Sequence, residues 1–386
     1  LKRPGSSGVE IDDLVRYVHC SRQPTGIQRG VIEILFAGIT QAGNLADRFR
    51  LCRFNAHNGR FEIVEPEGFT AIMSGPPQRF SATSGAGILR RTLSLASFLS
   101  FAARGGPQVL FHDLVGGRRR ERAFKKAVRP GDVLVSLGAT WGHHDFANRL
   151  RRVKQRYGLR YAMMVHDIIP ASNPELCAPG HVRNFTQWLA GTAAGTDLFF
   201  TPSRYSAEAL TAYGRERNWP EKPVRPLRFG TGFRDQPHGE AVNNADIELA
   251  TDEPFALTVS TIEIRKNHRL LVDIWQRLIE RHGADAVPPL VVIGRVGWQV
   301  DDLMRELRTS DYLGGKVIVL SSASNEMLAA HYRTCLFTVF PSLAEGWGLP
   351  VEESFSYGKA CLCSNVSSVP EVGGAFADYF DPADFN

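Results

Sequence analysis

Two glutamates with a fixed spacing stand where the sequence predicts the start of a helix. Glu345 and Glu353 lie eight positions apart in the segment FPSLAEGWGLPVEE, residues 340–353, with Glu345 predicted in the loop before the helix and Glu353 in its first turn. The apolar run 336–340 predicts a buried strand, and Pro350 is typical of a first helical turn. A helix start carries unpaired N–H groups and partial positive charge, so it favours anions, phosphates above all. The two acids either contact a ligand bound there or only favour the helix dipole, and by themselves they leave both interpretations open.

Two adjacent basic residues follow another predicted strand, residues 255–259. Arg265 and Lys266 are fixed positive charges, and such a pair beside a helix start suits a diphosphate. It can neutralise charge that develops on a leaving group without a metal ion. Taken alone, the pair could equally form a salt bridge at the surface.

Polar side chains also follow two strands of the first half. His166 and Asp167 come directly after the predicted buried strand 161–165, and a loop with Trp141 and His143 follows the strand 132–137. In an open α/β sheet, ligands bind beyond the carboxyl ends of the strands. We therefore expect His166 and Asp167 at a site and the loop near an acceptor molecule, although a lone histidine can also be structural.

Strands and helices alternate along both halves of the 386-residue chain; for example, the predicted strand 197–200 is followed by a helix that Ser203 is predicted to cap. This pattern predicts an α/β fold with two doubly wound, Rossmann-like domains facing each other across a cleft. Residues 219–244 are rich in proline, glycine and polar side chains, as is typical of a linker. We predict domains at 1–235 and 236–386.

Composition excludes several classes of protein. A hydrophobic content of 43% with 22% charged residues indicates a globular protein, and no apolar run approaches the roughly 20 residues of a membrane span. Six cysteines, none at zinc spacing, favour buried thiols in a reducing compartment, so we expect a cytoplasmic protein. The net charge is +5, and basic residues are concentrated in 118–126 and 149–156. These residues form either a solvated helix face or a patch for an anionic membrane surface or a phosphate-bearing substrate. No basic stripe alternates with aromatic residues, which disfavours a nucleic-acid partner.

Dedicated cofactor and metal motifs are absent from the sequence. Neither G-x-G-x-x-G nor G-x-x-x-x-G-K-[ST] occurs, which disfavours a dinucleotide oxidoreductase and a P-loop NTPase. H-E-x-x-H, a zinc quartet and D-x-D are also missing. We expect no cofactor and no metal ion.

Five segments occur in the order that one enzyme family has them: TGIQR at 25–29, HDIIP at 166–170, TPSRYS at 201–206, EIRKNH at 263–268 and FPSLAEGWGLPVEE at 340–353. Together they resemble a retaining glycosyltransferase of the GT-B fold group called family 4, or glycosyl transferases group 1, over nearly the whole chain. The E-x7-E pattern with its G-x-G-L-P core is fairly specific. The first segment is similar to that of a branch that builds bacterial O-antigen and capsular polysaccharides.

The resemblance implies roles for residues of the E-x7-E segment and for the two adjacent basic residues. Glu345 would lie near the donor sugar and stabilise positive charge on its ring, and Glu353 would accept hydrogen bonds from the donor ribose. Arg265 and Lys266 would bind the diphosphate and stabilise it as it leaves. Backbone N–H groups would hold the sugar hydroxyls and the diphosphate, and they belong to Gly346, Trp347, Gly348 and Leu349.

Other loops are implied to surround the same donor. Gly26 would let the N-terminal loop approach the phosphates or the sugar, His166 would contact the sugar, and Asp167 would order the His166 loop. Gly294 and Arg295 would meet the base. The first domain would bind the acceptor and the second the nucleotide sugar.

Three positions depart from the family pattern. Trp347 replaces the usual phenylalanine, which changes packing, and Ser260 stands where relatives often carry a further phosphate-binding arginine. The chain ends at Asn386, where relatives continue into further helices, so we expect the second domain to lack its last helices.

The resulting expectation is a hexosyltransferase that moves a sugar from a nucleotide diphosphate to a glycan with retention and without metal. GDP-mannose is the favoured donor, with dTDP-rhamnose and UDP-sugars as alternatives. The acceptor would be a growing lipid-linked or polymeric glycan of a bacterial surface polysaccharide, which would fit peripheral association with the inner face of the membrane. Two alternatives are a sugar-nucleotide epimerase or hydrolase of the same fold and a non-catalytic sugar-nucleotide-binding module of a larger polymerase.

Overall fold

A computed structural model describes nine ranges of the chain. They are residues 7–10, 27–28, 30–32, 34–35, 49–55, 60–64, 121–143, 145–228 and 249–384. Gly26, predicted to approach the donor, lies outside the described residues. None of the helices in these ranges combines the length and the hydropathy that a membrane crossing requires.

Within the described residues, the first sheet has seven strands in the order β3-β2-β1-β4-β5-β6-β7. Strands β2 and β3 are antiparallel, whereas β1 with β2, β1 with β4, β4 with β5, and β6 with β7 are parallel. Parallel strands need long crossovers, and the helices that follow β4, β5 and β6 supply them. The strands are β1 (Ser7–Glu10), β2 (Phe49–Asn55), β3 (Arg60–Val64), β4 (Val133–Ser136), β5 (Arg160–Met164), β6 (Leu198–Thr201) and β7 (Val224–Pro226).

Local signals set the ends of the helices in this half. Gly158 ends α1 in the left-handed conformation that glycine tolerates best. Ser203 caps α4, because its Oγ accepts a hydrogen bond from the Ser206 N–H, as the sequence predicted. The described helices that follow β4 in this half are α1 (Phe146–Tyr157), α2 (Ile169–Ser172), α3 (Pro179–Ala193) and α4 (Arg204–Glu216).

The second sheet has six strands, all parallel, in the order β10-β9-β8-β11-β12-β13. Its central strands are buried, as their runs of valine, leucine and isoleucine predict for a sheet covered on both faces. The strands are β8 (Ala256–Val259), β9 (Leu290–Ile293), β10 (Val317–Leu320), β11 (Phe337–Phe340), β12 (Cys361–Ser364) and β13 (Asp378–Phe380).

Apolar side chains at helical spacing pack the helices of this half onto the sheet. Leu271, Val272 and Trp275 of α5 are buried in one cluster with Leu303 and Leu307 of α6. The helices are α5 (His268–His282), α6 (Asp301–Thr309), α7 (Asn325–Thr334), α8 (Leu349–Ser356) and α9 (Val369–Gly373).

These two mostly parallel sheets confirm the predicted α/β fold with doubly wound sheets. The described residues group into two compact units, 1–163 with 195–197 and 164–194 with 198–386. The predicted domain boundary at 235/236 falls between described ranges and stays a prediction. One detail of the sequence interpretation is wrong: α8 begins at Leu349, which places Glu353 in its second turn, and the first-turn acid is Glu352.

Candidate functional site

The segment between β11 and α8 has the predicted order of strand, loop and helix start. We call residues 345–348 the Glu345 loop. Gly348 has φ +126°, a backbone conformation that residues with side chains rarely adopt. Gly346 has no room for a side chain, because a Cβ there would lie 2.2 Å from the His166 carbonyl oxygen. Both glycines are therefore required by the shape of the loop.

The Glu345 carboxylate is buried between the two predicted cations. Its Oε2 lies 2.9 Å from Nη1 of Arg265, and its Oε1 is paired with Nζ of Lys266. Arg265 also binds Glu263, with 2.7 Å between Nη2 and Oε1, and donates from Nη1 to the Ala344 carbonyl at 2.8 Å. Two cations and two carboxylates thus form one network, and its formal charges cancel.

Burial and charge act in opposite directions on these groups. Burial alone would raise the pKa of Glu345, but Arg265 and Lys266 outweigh it and hold this pKa at about 2. Burial lowers the pKa of Lys266, and Glu345 beside it counteracts that change. Burial also raises the pKa of Glu263, which Arg265 opposes. Glu345 is therefore the carboxylate of the network that stays ionised most firmly.

The backbone of the Glu345 loop presents hydrogen-bond donors. Within the described part of the chain, the N–H groups of Gly346, Trp347 and Gly348 have no protein acceptor. All three residues are buried, and buried N–H groups almost always have a partner. Three such donors in sequence, at a helix start and beside two cations, suit an anionic or hydroxyl-rich ligand.

His166 and Asp167 lie against the same loop. The His166 carbonyl and the Asp167 Cβ are the nearest atoms to where a Gly346 side chain would be. Asp167 Oδ1 accepts a hydrogen bond from the Ile169 N–H at 3.0 Å, which holds the turn into α2. Burial raises the pKa of Asp167, and Arg265 opposes this rise. The structure thus brings His166, Asp167, Arg265 and Glu345 together.

Glu353 is buried on α8, and its surroundings differ from those of Glu345. Its Oε2 accepts a hydrogen bond from the Tyr332 hydroxyl at 2.8 Å, and only 1% of the residue is exposed. Leu349 and Pro350 open the helix that carries it. The ribose contact of Glu353 stays a prediction.

The remaining predicted residues occupy varied positions. Gly294 is required by packing, because a Cβ there would lie 1.8 Å from the Ser260 carbonyl oxygen, and Arg295 beside it is exposed. Trp141 is half-buried in a 3-10 turn, whereas the His143 ring is buried against Phe54 and Phe146. Their contacts with base and acceptor stay predictions.

Sequence reasoning did not assign several residues to this site. Glu263 was part of a quoted motif, but nothing local indicates that it pairs with Arg265. Ser203 and Ser206 donate hydrogen bonds to the Gly346 carbonyl, at 2.8 and 3.2 Å. Ser368 Oγ lies 3.0 Å from the Glu345 carbonyl and 2.8 Å from that of Trp347. Only the recurrence of serine in both segments could have drawn attention to them.

No three His, Cys, Asp or Glu side chains in the described ranges are grouped as metal ligands would be.

Comparison with known proteins finds a family match for part of the chain. Residues 241–378 match the family model of glycosyl transferases group 1, which confirms the resemblance for this segment. Two solved structures share the fold: Anabaena HepE in complex with UDP and glucose (TM-score 0.57, 14% identity, 99% of this chain and 87% of that chain) and sucrose-phosphate synthase from Thermosynechococcus elongatus (0.56, 16%, 100% and 87%). At such identity the likeness shows the fold alone, and it confirms the predicted GT-B class.

Curated relatives from Escherichia coli narrow the comparison. The serotype-specific mannosyltransferase WbdA is 30% identical over 261 residues, which cover 64% of this chain and 31% of WbdA. The O-antigen chain mannosyltransferase B is 36% identical over 221 residues, which cover 57% of this chain and 56% of that protein. The chain therefore spans about a third of the length of the first relative and about half of the second.

Proposed function

We propose that this chain is a hexosyltransferase that transfers mannose from GDP-mannose to a growing glycan of a bacterial surface polysaccharide. The observation that carries the proposal is the buried Glu345 carboxylate, paired with Arg265 and Lys266. The adjoining loop N–H groups complete a set of donors and charges that a sugar diphosphate needs. The network lies within the segment that matches glycosyl transferases group 1.

The proposed chemistry is transfer with retention at the anomeric carbon and without a metal ion. Arg265 and Lys266 bind the diphosphate and stabilise its negative charge as the bond to the sugar breaks. The N–H groups of Gly346, Trp347 and Gly348 hold phosphate oxygens and sugar hydroxyls. The ionised Glu345 stabilises positive charge on the sugar ring, and the leaving diphosphate accepts the proton of the acceptor hydroxyl.

The choice of mannose and of an O-antigen type of glycan rests on the relatives, both named as mannosyltransferases. The choice of guanine as the base of the donor rests on the same two relatives. The structure of HepE contains UDP, but its likeness to this chain supports the fold only. A thermal-shift panel of GDP, UDP, dTDP and ADP tests the base, because a ligand that binds the native state raises its melting temperature. We expect the largest shift with GDP.

The test of activity combines the purified protein, GDP-mannose and a mannose-terminated oligosaccharide. We expect an elongated product whose new linkage keeps the anomeric configuration of the donor, measured by NMR, with the same rate in EDTA. Lys266→Ala should reduce transfer at least a thousandfold, since one lost electrostatic contact in a transition state costs about 10²–10³ and binding is lost as well. Arg269→Ala is the matched control, because Arg269 is ion-paired with Glu306 and Asp273 on the partly exposed side of α5.

Other outcomes decide between the functions. Epimer or free sugar formed from the donor alone would identify an epimerase or hydrolase. A donor that binds but stays intact with every acceptor would identify a non-catalytic module of a larger polymerase. Normal transfer by Lys266→Ala would show that the site described above is not the active site.

The acceptor is proposed to be lipid-linked or polymeric, and the protein to associate with the inner face of the membrane. The exposed basic side chains of Arg151, Arg152 and Arg156 on α1 support an anionic partner. Co-sedimentation with vesicles that contain anionic lipid, compared with neutral vesicles, measures this association.

A further inference from the structure

Three buried serines surround the backbone of the Glu345 loop. Ser203 and Ser368 are completely buried, and Ser206 is 4% exposed. Their hydroxyls reach every carbonyl of residues 345–347: Ser368 those of Glu345 and Trp347, and Ser203 with Ser206 that of Gly346. We call Ser203, Ser206 and Ser368 the loop serines.

Holding these carbonyls fixes the direction of the next N–H group in each case. The peptide unit is planar, and in a trans peptide the C=O and the following N–H point in opposite directions. The described residues contain no cis peptide bond. The Glu345 and Trp347 carbonyls share the single hydroxyl proton of Ser368, and the Gly346 carbonyl accepts from Ser203 and Ser206. These hydroxyls therefore orient the N–H groups of Gly346, Trp347 and Gly348 away from the serines. These are the N–H groups that have no protein acceptor in the described part of the chain.

The segments that carry the loop serines are hydrogen-bonded to each other. Ser203 Oγ accepts from the Ser206 N–H at 3.0 Å while it donates to Gly346, so its single proton is directed at the loop. Glu371, on α9 with Ser368 just before it, accepts from the Arg204 and Tyr205 N–H groups at 2.8 and 3.3 Å. The start of α4, the start of α9 and the Glu345 loop thus form one hydrogen-bonded junction.

We infer that the loop serines are positioning residues that direct the N–H groups of the Glu345 loop toward the diphosphate and sugar of the donor. The inference rests on the proposed function, because it names the residues that prepare that site for its ligand. A group held in place before binding loses less freedom when the ligand arrives, so both affinity and rate depend on it.

Ser368→Ala is the cleanest test, because the Ser368 side chain makes no cap hydrogen bond to its own helix. Ser203→Ala, in contrast, also removes the cap of α4. Ser354→Ala is the matched control: Ser354 is completely buried, and away from the loop its hydroxyl donates to the Lys359 carbonyl at 3.1 Å and accepts from the Thr338 hydroxyl at 2.8 Å. Both variants lose a buried hydroxyl, so melting temperatures compare them on equal terms.

The measurements are donor KM, kcat, and the calorimetric affinities for GDP-mannose and GMP. GMP lacks the sugar and the second phosphate, which the loop N–H groups are proposed to hold. For Ser368→Ala we expect an affinity for GDP-mannose about tenfold lower, as the loss of one or two hydrogen bonds produces, a lower kcat, and an unchanged affinity for GMP. Ser354→Ala should bind both ligands, and turn over GDP-mannose, as the unchanged protein does.

Each result decides the inference. Ser368→Ala with normal donor affinity and kcat overturns it. A variant that loses GMP and GDP-mannose equally, with a melting temperature below that of Ser354→Ala, also overturns it, because the serine would then only maintain the fold. If the unchanged protein binds no nucleotide sugar, the proposed function fails, and that arm shows it before any variant is compared.

Discussion

Replacing Glu345 by glutamine tests the charge network of the site directly. Glutamine has nearly the size of glutamate but no charge, so Glu345→Gln removes the carboxylate that is ion-paired with Lys266, while Arg265 keeps its pair with Glu263. The side chain of Glu345 is 8% exposed and those of the two cations 18% and 11%. Water therefore compensates little for the lost partner.

The size of the effect follows from the pKa of Glu345. The network lowers this pKa from an ordinary 4.5 to about 2. A difference of this size corresponds to about 3 kcal/mol in favour of the ionised folded state. Breaking a buried ion pair by removing one partner costs about 3–5 kcal/mol in other proteins, which agrees. We expect Glu345→Gln to lower the free energy of unfolding at pH 7 by about 3 kcal/mol.

The pH dependence has a definite sign. Because the pKa of Glu345 is lower in the folded state, its stabilisation is complete above the unfolded pKa near 4.5 and is lost as the pH falls towards 2. The free energies of unfolding of the unchanged protein and of Glu345→Gln should therefore converge in this window. Above it, their difference should stay constant.

Urea denaturation followed by tryptophan fluorescence measures these free energies, and a second substitution sharpens the result. In Glu345→Gln with Lys266→Met, neither position of the pair holds a cation without a carboxylate partner, because Arg265 stays paired with Glu263. We therefore expect the double variant to be more stable than Glu345→Gln alone. The control is Glu306→Gln, because Glu306 pairs with Arg269 at the surface, where such a pair contributes at most about 1 kcal/mol.

Two results would refute this reasoning. If Glu345→Gln unfolds at the same urea concentration as the unchanged protein at pH 7, the carboxylate is not stabilised by the two cations. If its deficit is unchanged at pH 2.5, the deficit comes from packing and not from charge.

Two further substitutions test the surroundings of the network. Gly346→Ala should lower both donor affinity and melting temperature, because its Cβ would meet the His166 carbonyl and overpacking costs about 1–3 kcal/mol. The control is Gly180→Ala, which should be neutral because no atom lies within 4 Å of the added Cβ. An equally neutral Gly346→Ala would contradict the close contact. Tyr332→Phe should raise the donor KM with little change in kcat, because it removes the 2.8 Å hydrogen bond that orients Glu353. An unchanged KM in steady-state assays would contradict the proposed contact between Glu353 and the donor ribose.

Local signals made part of this structure predictable from sequence. The apolar run before Pro341 predicted β11, and Pro350 predicted a helix start within one residue of Leu349. Ser203 was predicted as a cap and is one. Each of these features depends on residues within a few positions of one another, where propensity and capping decide the outcome.

The partners within the site could not be predicted in the same way. Lys266 and Glu345 are 79 positions apart, and Ser203 and Gly346 are 143 apart. Nothing in either segment encodes the distance between them, because only the packing of the strands and helices sets it. Sequence could place Arg265 and Glu345 near one ligand, but it could not show that they bind each other. For the same reason it could not show that Glu345 has a structural role as well.

This pairing gives a physical account of how a donor would enter the proposed active site. Arg265 is held by Glu263, by Glu345 and by the Ala344 carbonyl, so a diphosphate that binds Arg265 would not easily separate it from all three. Lys266 has Glu345 as its carboxylate partner among the described residues, and it is the cation better able to exchange that partner for a phosphate oxygen. Such an exchange would leave Glu345 ionised, because its pKa lies far below neutral pH, and with one cation fewer beside it. The carboxylate would then be able to act on the positive charge of the sugar ring, so binding of the diphosphate would itself prepare Glu345 for the reaction.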